Sequence, residues 1–407
     1  MIFSIVNSGS SANNPGTLDP NFGNNGTVIF NNSNVHHIIR GLVIDSNNKI
    51  LLGGYTSDSL GSDTVLLKFS YDGNIDGTFG NNGVTFFDNS GTTDRAFAIT
   101  IDSSDYIYLA GHTTSNNSDA LLLKYKPDGT IDNTFGTNGV VTYLPSASLA
   151  NAIAINNNDI FVAGNISTNA TDVLLLKYDK NSGSPVNSFG SSGVVTYNGG
   201  TNVQDTGRAV AVNQAGEIFV AGTTNPVGIP ENVLLLKYQP NGSLDNSFGN
   251  NGVVTYDHNP SNNDLIYSIA LGNNVIYLAG ETISGSNRDI LLLKYQQNGT
   301  PDTSFGNNGI VTYDSGGSEA AYAIAIDDDN EIYLAGINFG ANANIIVLKY
   351  KPNGNLDTSF GNNGVVIYDQ NSMERAFGIA IKNDHLYVGG DILVNGRWHA
   401  FLLRFNK

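Results

Sequence analysis

Seven positions at a regular interval hold His37, Asp94, Ser148, Asp205, Asp264, Glu319 and Glu374, each four residues ahead of a recurring small residue. Five of the seven are acidic. Gathered at one height around an axis, such carboxylates would raise one another's pKa or recruit a cation. Asp94, Asp205, Asp264, Glu319 and Glu374 are therefore the candidate metal ligands, with calcium the hard cation they suit. The competing reading is that each carboxylate accepts neighbouring backbone N–H groups where a strand begins. Arginines stand beside them: Arg95 and Arg375 directly after the acid, Arg40 and Arg208 slightly deeper. The only tryptophan, Trp398, lies between Arg397 and His399. A tryptophan flanked by polar residues stacks on a sugar or anchors a partner; alternatively it caps a seam between the first and last repeats. Trp398, Arg397, His399, Arg95, Arg208, Arg375 and His37 form the candidate ligand-binding set. Two carboxylates about 5–9 Å apart also suit glycoside chemistry, which would make Asp94, Asp205 and Glu374 the acids of a polysaccharide lyase or hydrolase. A repeated acid lacks the asymmetry of an active site, so catalysis ranks last.

A second repeated position is basic: Lys68, Lys124, Lys177, Lys237, Lys294, Lys349 and Arg404. An Asp follows eight residues later at Asp76, Asp132, Asp245, Asp302 and Asp357. The functional reading is a basic ring for an anion. The structural one, a lysine stem on apolar sheet with its head paired to that Asp across a turn, is expected here. The single Asp of each turn is too sparse for calcium, which takes six to eight oxygens.

Other chemistry is absent. With no Cys there are no disulfides, no thiolate catalysis and no Cys-bound zinc. The six His show no metal spacing. Neither G-x-S-x-G nor a phosphate-binding Gly loop occurs in a meaningful context. A net charge of −17 argues against nucleic acid and anionic membrane surfaces. No apolar run approaches the ~20 residues of a spanning helix, so no membrane insertion is expected. The opening MIFSIVNSGSS has no basic n-region, so no leader is read there. That leaves a cytoplasmic chain or a mature secreted form with its leader already removed, and the expected location is extracellular or the cell surface.

The elements that hold these residues come from a repeat. Phe-Gly pairs begin at Phe22, Phe79, Phe135, Phe189, Phe248, Phe305 and Phe360. Each unit carries four apolar segments, as in Gly83–Phe87, Ala96–Asp102, Tyr106–Gly111 and Ala120–Tyr125. They are short, β-branched or aromatic, and bounded by Gly, Asn, Asp and Pro: strands, not helices. Seven units of four strands predict an all-β, seven-bladed β-propeller of antiparallel blades. The LLLKY-type strand, apolar on both faces, belongs between neighbouring blades. The AFAITID-type strand alternates small (Ala96, Ala98, Thr100) with large (Phe97, Ile99, Ile101) and is placed innermost. The last blade then lacks an outer strand, and Thr27–Phe30 is predicted to supply it, closing the ring without a bare edge. Residues 1–17 are read as an N-terminal extension and 18–407 as a single propeller.

The unit D-x-A-x-A-I-x-I-D, IYLAG, D-x-LLLKY and D-x-(T/S)-FG-x-x-G-VV resembles the bacterial delta-60 repeat family of β-propellers from about residue 18 to 407. Departures are local: Val186 replaces the Asp before Ser188-Phe189, and Gly272 and Lys382 replace the Asp that closes the inner strand. The resemblance implies the fold and ties the chain to no one reaction. Loops on one face are regular, and those on the other, such as LPSASL, NGGTNVQDT and DILVNGRWH, are irregular, so binding is expected on the irregular face. The first expectation is a non-catalytic extracellular or surface module that binds a glycan or protein there. The second is a filament subunit that self-associates by adding the Ile2–Val6 segment to a neighbour's sheet. No cofactor is expected beyond a possible calcium ion.

Overall fold

A computed structural model describes residues 14–407, apart from 32–34, 59–60, 90, 115–117, 145, 168–169, 227 and 341. The described residues form seven four-stranded antiparallel sheets and no helix. Blade 1 runs outward through His36–Ile44, Ile50–Ser57, Thr64–Phe69 and Val84–Phe87. The innermost strands of blades 2 to 7 are Asp94–Ile101, Ser148–Ile155, Gln204–Val212, Asn263–Gly272, Ser318–Ile326 and Glu374–Lys382. Each touches the innermost strands of both neighbouring blades, which closes the ring around an axial channel. The third strand is buried on both faces, as Leu121 to Leu123 at 0–2% exposure illustrate.

Blade 7 is completed as its sequence pattern predicts. Thr27–Phe30 pairs antiparallel with Arg397–Asn406, Val28 opposite Leu402 and Phe30 opposite Ala400. The chain ahead of that strand joins in. Asp19 N–H donates to Arg404 O, Asn406 N–H to Thr17 O, and Gly16 N–H to Asn406 O. The Phe-Gly turn stitches every blade to the next in one way: the Gly N–H donates to a carbonyl in the following blade's turn, as from Gly80 to Asp128 O at 2.8 Å. At the last junction Gly361 donates to Pro15 O at 2.9 Å. The second Asn of the FGNNG turn is left-handed, with φ 50–55° at Asn25, Asn82, Asn138, Asn251, Asn308 and Asn363, a conformation Asn tolerates better than most residues.

The repeated cations are structural. Lys124, Lys237, Lys294 and Lys349 meet Asp132, Asp245, Asp302 and Asp357 at 2.9–3.2 Å. Blade 1 differs: Lys68 pairs with Asp45 (2.9 Å), and Asp76 takes Lys49 (2.6 Å). Lys177, whose unit has Val186 in place of the Asp, turns to Asp159 (3.0 Å). Arg404 reaches Asp19 from the other end of the chain (2.6 Å).

The strict alternation read in the inner strand breaks at one point. In all seven blades the pairing slips by one residue, for example between Ala96 and Ala98, leaving Phe97 unpaired. A bulge of this kind re-aims the extra side chain. It also drives the preceding carbonyl toward the second strand, where only Gly fits. A Cβ on Gly111 would lie 1.8 Å from Arg95 O, and the same holds at 1.8–2.0 Å for Gly54, Gly164, Gly222, Gly280, Gly336 and Gly390. The glycine of the IYLAG-type motif is thus the counterpart of the bulge.

Candidate functional site

The seven bulged residues are Arg40, Phe97, Asn151, Arg208, Tyr267, Tyr322 and Phe377, all half-buried. They meet across blade boundaries and form a collar around the channel on the irregular-loop face. Tyr267 and Tyr322 have ring centroids 4.8 Å apart, and Tyr322 and Phe377 5.2 Å. The Arg40 guanidinium sits 4.4 Å from the Phe377 ring centre, and that of Arg208 5.5 Å from Tyr267. Tyr55 links Arg40 (5.6 Å) to Arg95 (5.1 Å) and to Phe97 (6.3 Å). Asn151 Nδ2 donates to Gly207 O at 2.9 Å.

Behind the collar lie two fully buried carboxylates, Glu281 and Asp391. Arg375 grips Asp391 in a bidentate pair, Nε to Oδ1 at 2.7 Å and NH2 to Oδ2 at 3.0 Å. Burial pushes the Asp391 carboxyl up, against the pull of Arg375 and Arg40. Glu281 accepts the Tyr267 hydroxyl at 2.7 Å and Arg288 NH1 at 2.8 Å. These pairs lock Tyr267 and Arg375 in place. Among the described residues, by contrast, Arg40, Arg95 and Arg208 have no carboxylate within 4 Å. Arg208 Nε is buried without a hydrogen-bond acceptor. The seven repeated cations at the Phe-Gly face all have carboxylate partners, whereas these three arginines at the mouth do not.

The collar is asymmetric. Blades 7, 1 and 2 bring Arg375, Arg397, Arg40 and Arg95 into one sector, whereas blade 3 offers Asn151 and blade 6 Tyr322. Trp398 stands in that sector, half-buried, with the Arg375 guanidinium 3.7 Å from its ring centre. Its backbone N–H donates to His36 Nδ1 at 3.2 Å, tying the last blade to the first. His37 and His399 are buried rather than presented to solvent. Burial and the neighbouring His399 and His36 depress the pKa of His37 to about 4, and His37 packs edge-on against Phe30 at 5.5 Å.

The five repeated carboxylates do not form a channel ring. Each is 0% exposed and holds the loop that crosses into its own blade. Asp94 Oδ2 accepts Asn89 N–H (2.9 Å) and the Thr92 hydroxyl (3.0 Å). Asp205 accepts Gly199 N–H and Asp264 accepts His258 N–H, both at 2.6 Å. Glu374 accepts Gln370 N–H at 3.3 Å, while Glu319 accepts the Ser315 hydroxyl and Asn338 Nδ2. Burial raises the pKa of Asp264 and Glu319, and takes Glu374 to about 7. Among the described residues, acidic groups converge only at separate junctions: Asp63, Asp88 and Asp94 at one, Asp289, Asp314 and Glu319 at another. The Ile2–Val6 segment lies outside the described residues.

Sequence reasoning named the arginines and Trp398 but missed Tyr55, Phe97, Tyr267, Tyr322 and Phe377. The signal was present: the residue three after each repeated acid varies among Arg, Phe, Asn and Tyr while its surroundings stay regular. At the opposite end of the inner strands a cavity of about 470 Å³ has Thr100, Ile101, Ile153, Ile155, Val210 and Leu271 among its lining residues.

Five stretches of the chain, residues 46–79, 106–135, 216–248, 271–305 and 328–360, match the family model described as a domain of unknown function (DUF5122) beta-propeller. The chain therefore carries the repeats of a β-propeller family. No curated protein matches the sequence. Among solved structures it is similar to a polysaccharide lyase, the PL25 ulvan lyase bound to -[GlcA(1-4)Rha3S]- (TM-score 0.54, 11% identity, 93% of this chain and 95% of that one). It is also similar to the polysaccharide lyase Uly1 (0.52, 12% identity, 93% and 91%). A protein of unknown function from Dyadobacter fermentans gives 0.50, with 12% identity over 95% and 99%. At these identities the likeness is one of fold.

Proposed function

We propose that this chain is a non-catalytic binding module of the delta-60 type, working outside the cell or at its surface, which takes an anionic glycan or an acidic protein segment at the channel mouth. The observation that carries the reading is that Arg40, Arg95 and Arg208, in a protein of net charge −17, have no carboxylate within 4 Å among the described residues. Guanidinium groups match carboxylate and sulfate in a planar fork, and the adjoining aromatic rings supply faces for sugar rings. The carboxylates an enzyme would use, Asp94, Asp205 and Glu374, are buried in their loops, which favours binding over bond cleavage. Because the PL25 ulvan lyase, similar to this chain in fold, is known bound to -[GlcA(1-4)Rha3S]-, an acidic polysaccharide is the first probe to try.

The test compares polysaccharides bearing uronate or sulfate with neutral ones of similar size, using wild type and the Arg40→Ala/Arg95→Ala double variant. The acidic polymers should be retained by wild type at low ionic strength, released by salt, and lost by the variant. Equal retention of neutral polymers, or undiminished binding by the variant, contradicts the reading. Shortening of the polymer by wild type would convert it into an enzyme.

A further inference from the structure

We propose that the junction between blades 1 and 2 is a calcium site built from Asp63, Asp88 and Asp94. The site adjoins the collar, where Arg95 Nε donates to Ser62 Oγ at 3.3 Å. Asp63 immediately precedes the third strand of blade 1, Asp88 follows that blade's outer strand, and Asp94 begins blade 2. The backbone already brings them together: Asp94 N–H donates to Ser62 O at 2.6 Å. Each carboxylate offers an oxygen within 4.8 Å of the others. With calcium–oxygen bonds of about 2.3–2.6 Å, two ligands on opposite sides of the ion stand about that far apart, so one ion reaches all three.

Two further observations point to a cation. Asp94 is 0% exposed, and while its Oδ2 has two donors, its Oδ1 has no hydrogen-bond partner among the described residues. An anionic oxygen buried without a donor is costly, and a cation removes that cost. Among the described residues no Lys or Arg side-chain nitrogen lies within 4 Å of a carboxylate oxygen of Asp63, Asp88 or Asp94. Hard, all-oxygen and irregular donor sets of this kind suit calcium better than magnesium, which demands octahedral geometry and keeps its waters.

The fold carries its own control. At the junction of blades 5 and 6 the same three positions are Asp289, Asp314 and Glu319. There the buried acid is already satisfied, by the Ser315 hydroxyl and N–H and by Asn338 Nδ2, and Asp289 accepts Asn287 Nδ2. At other junctions Asp205, Asp264 and Glu374 also keep one oxygen without a hydrogen-bond partner, but fewer acids reach these positions there. Where blade 7 meets blade 1, His399 and His37 stand there instead.

Calorimetric titration of the full chain with calcium chloride, after chelator treatment, tests the assignment alongside thermal unfolding in calcium and in chelator. Asp63 and Asp88 are not buried, so Asp63→Asn/Asp88→Asn should fold as wild type, as circular dichroism would register. Wild type and Asp289→Asn/Asp314→Asn are expected to bind calcium and to melt at higher temperature in it. The Asp63/Asp88 variant is expected to lose both the heat and the shift while keeping its melting temperature in chelator. The proposal fails if wild type gives no saturable heat up to about 10 mM calcium, above the range of weak extracellular modules. It fails equally if the Asp63/Asp88 variant binds as wild type does.

Discussion

Glu374 and Asp245 show how position in the blade sets the sign of a carboxylate's contribution. Asp245, at a Phe-Gly turn, takes the Ser247 hydroxyl and then, against burial, the Lys237 ammonium, and is held at about 2. It binds fewer protons folded than unfolded, so its stabilisation is present above the ordinary carboxylate range and is lost as pH falls toward 2. Glu374 runs the other way. Burial dominates, Asp369 adds repulsion, one oxygen has no hydrogen-bond partner, and the pKa rises to about 7. Between the ordinary Glu value and 7 the folded state binds the extra proton, so stability falls as pH rises through that window and the full cost is present above it. At about 1.4 kcal/mol per pKa unit, that cost is roughly 3 kcal/mol. Glu374→Gln should therefore raise the melting temperature at pH 8 and leave it nearly unchanged at pH 4.5. A variant that melts lower than wild type at pH 8 would mean that the carboxylate is satisfied there as an anion.

The inner strand and its glycine partner are the elements that turn a regular repeat into an irregular site. Repeat length, strand number, the innermost assignment and the closure by Thr27–Phe30 were legible because each follows from apolar segments, turn residues and the fourth strand missing from the last blade. The collar was not, because a bulge changes which side chain faces the axis without changing composition. Phe97 reads as a member of the large face with Ile99 and Ile101, yet the unpaired register at Ala96/Ala98 sends it inward. The repeated acids misled for a related reason: a carboxylate at a strand start looks alike in sequence whether it faces a channel or folds back on its own loop. The glycine opposite the bulge makes the dependence testable. In Gly111→Ala the new Cβ would meet Arg95 O at 1.8 Å, and backbone rather than a flexible side chain must yield. A loss of roughly 2–4 kcal/mol in denaturant unfolding is expected, with Arg95 displaced. Gly77→Ala, where nothing lies within 4 Å, should stay within about 0.5 kcal/mol. Equal behaviour of the two variants would mean that the bulge is adaptable.

At the scale of the whole ring, both ends of the chain build one turn. In blade 2, Lys126, Pro127, Asp128, Gly129 and Thr130 link the third strand to the Phe-Gly box, with Lys126 N–H donating to Thr130 O and Gly129 N–H to Lys126 O. In blade 7 the same bonds run from Asn406 N–H to Thr17 O and from Gly16 N–H to Asn406 O, and Gly16 has φ 81° where Gly129 has 86°. Asn406 and Lys407 thus occupy the first half of that turn, and Pro15, Gly16 and Thr17 the second. A peptide bond from Lys407 to Pro15 would restore the continuous turn of the other blades. A circular permutant that begins after Asn31, runs to Lys407, continues directly into Pro15 and ends at Asn31 should fold into the same ring. It should unfold at least as cooperatively as wild type, because one closure becomes covalent. Deleting residues 1–31 outright should be far more damaging. Arg404 would lose Asp19 while remaining buried, a cost of about 3–5 kcal/mol for a broken internal ion pair, and the third strand of blade 7 would become a bare edge. Circular dichroism melting and size-exclusion chromatography of the permutant and the deletion variant separate these outcomes. An aggregated permutant beside a monomeric, folded deletion would show that the ring is held by something other than its seam.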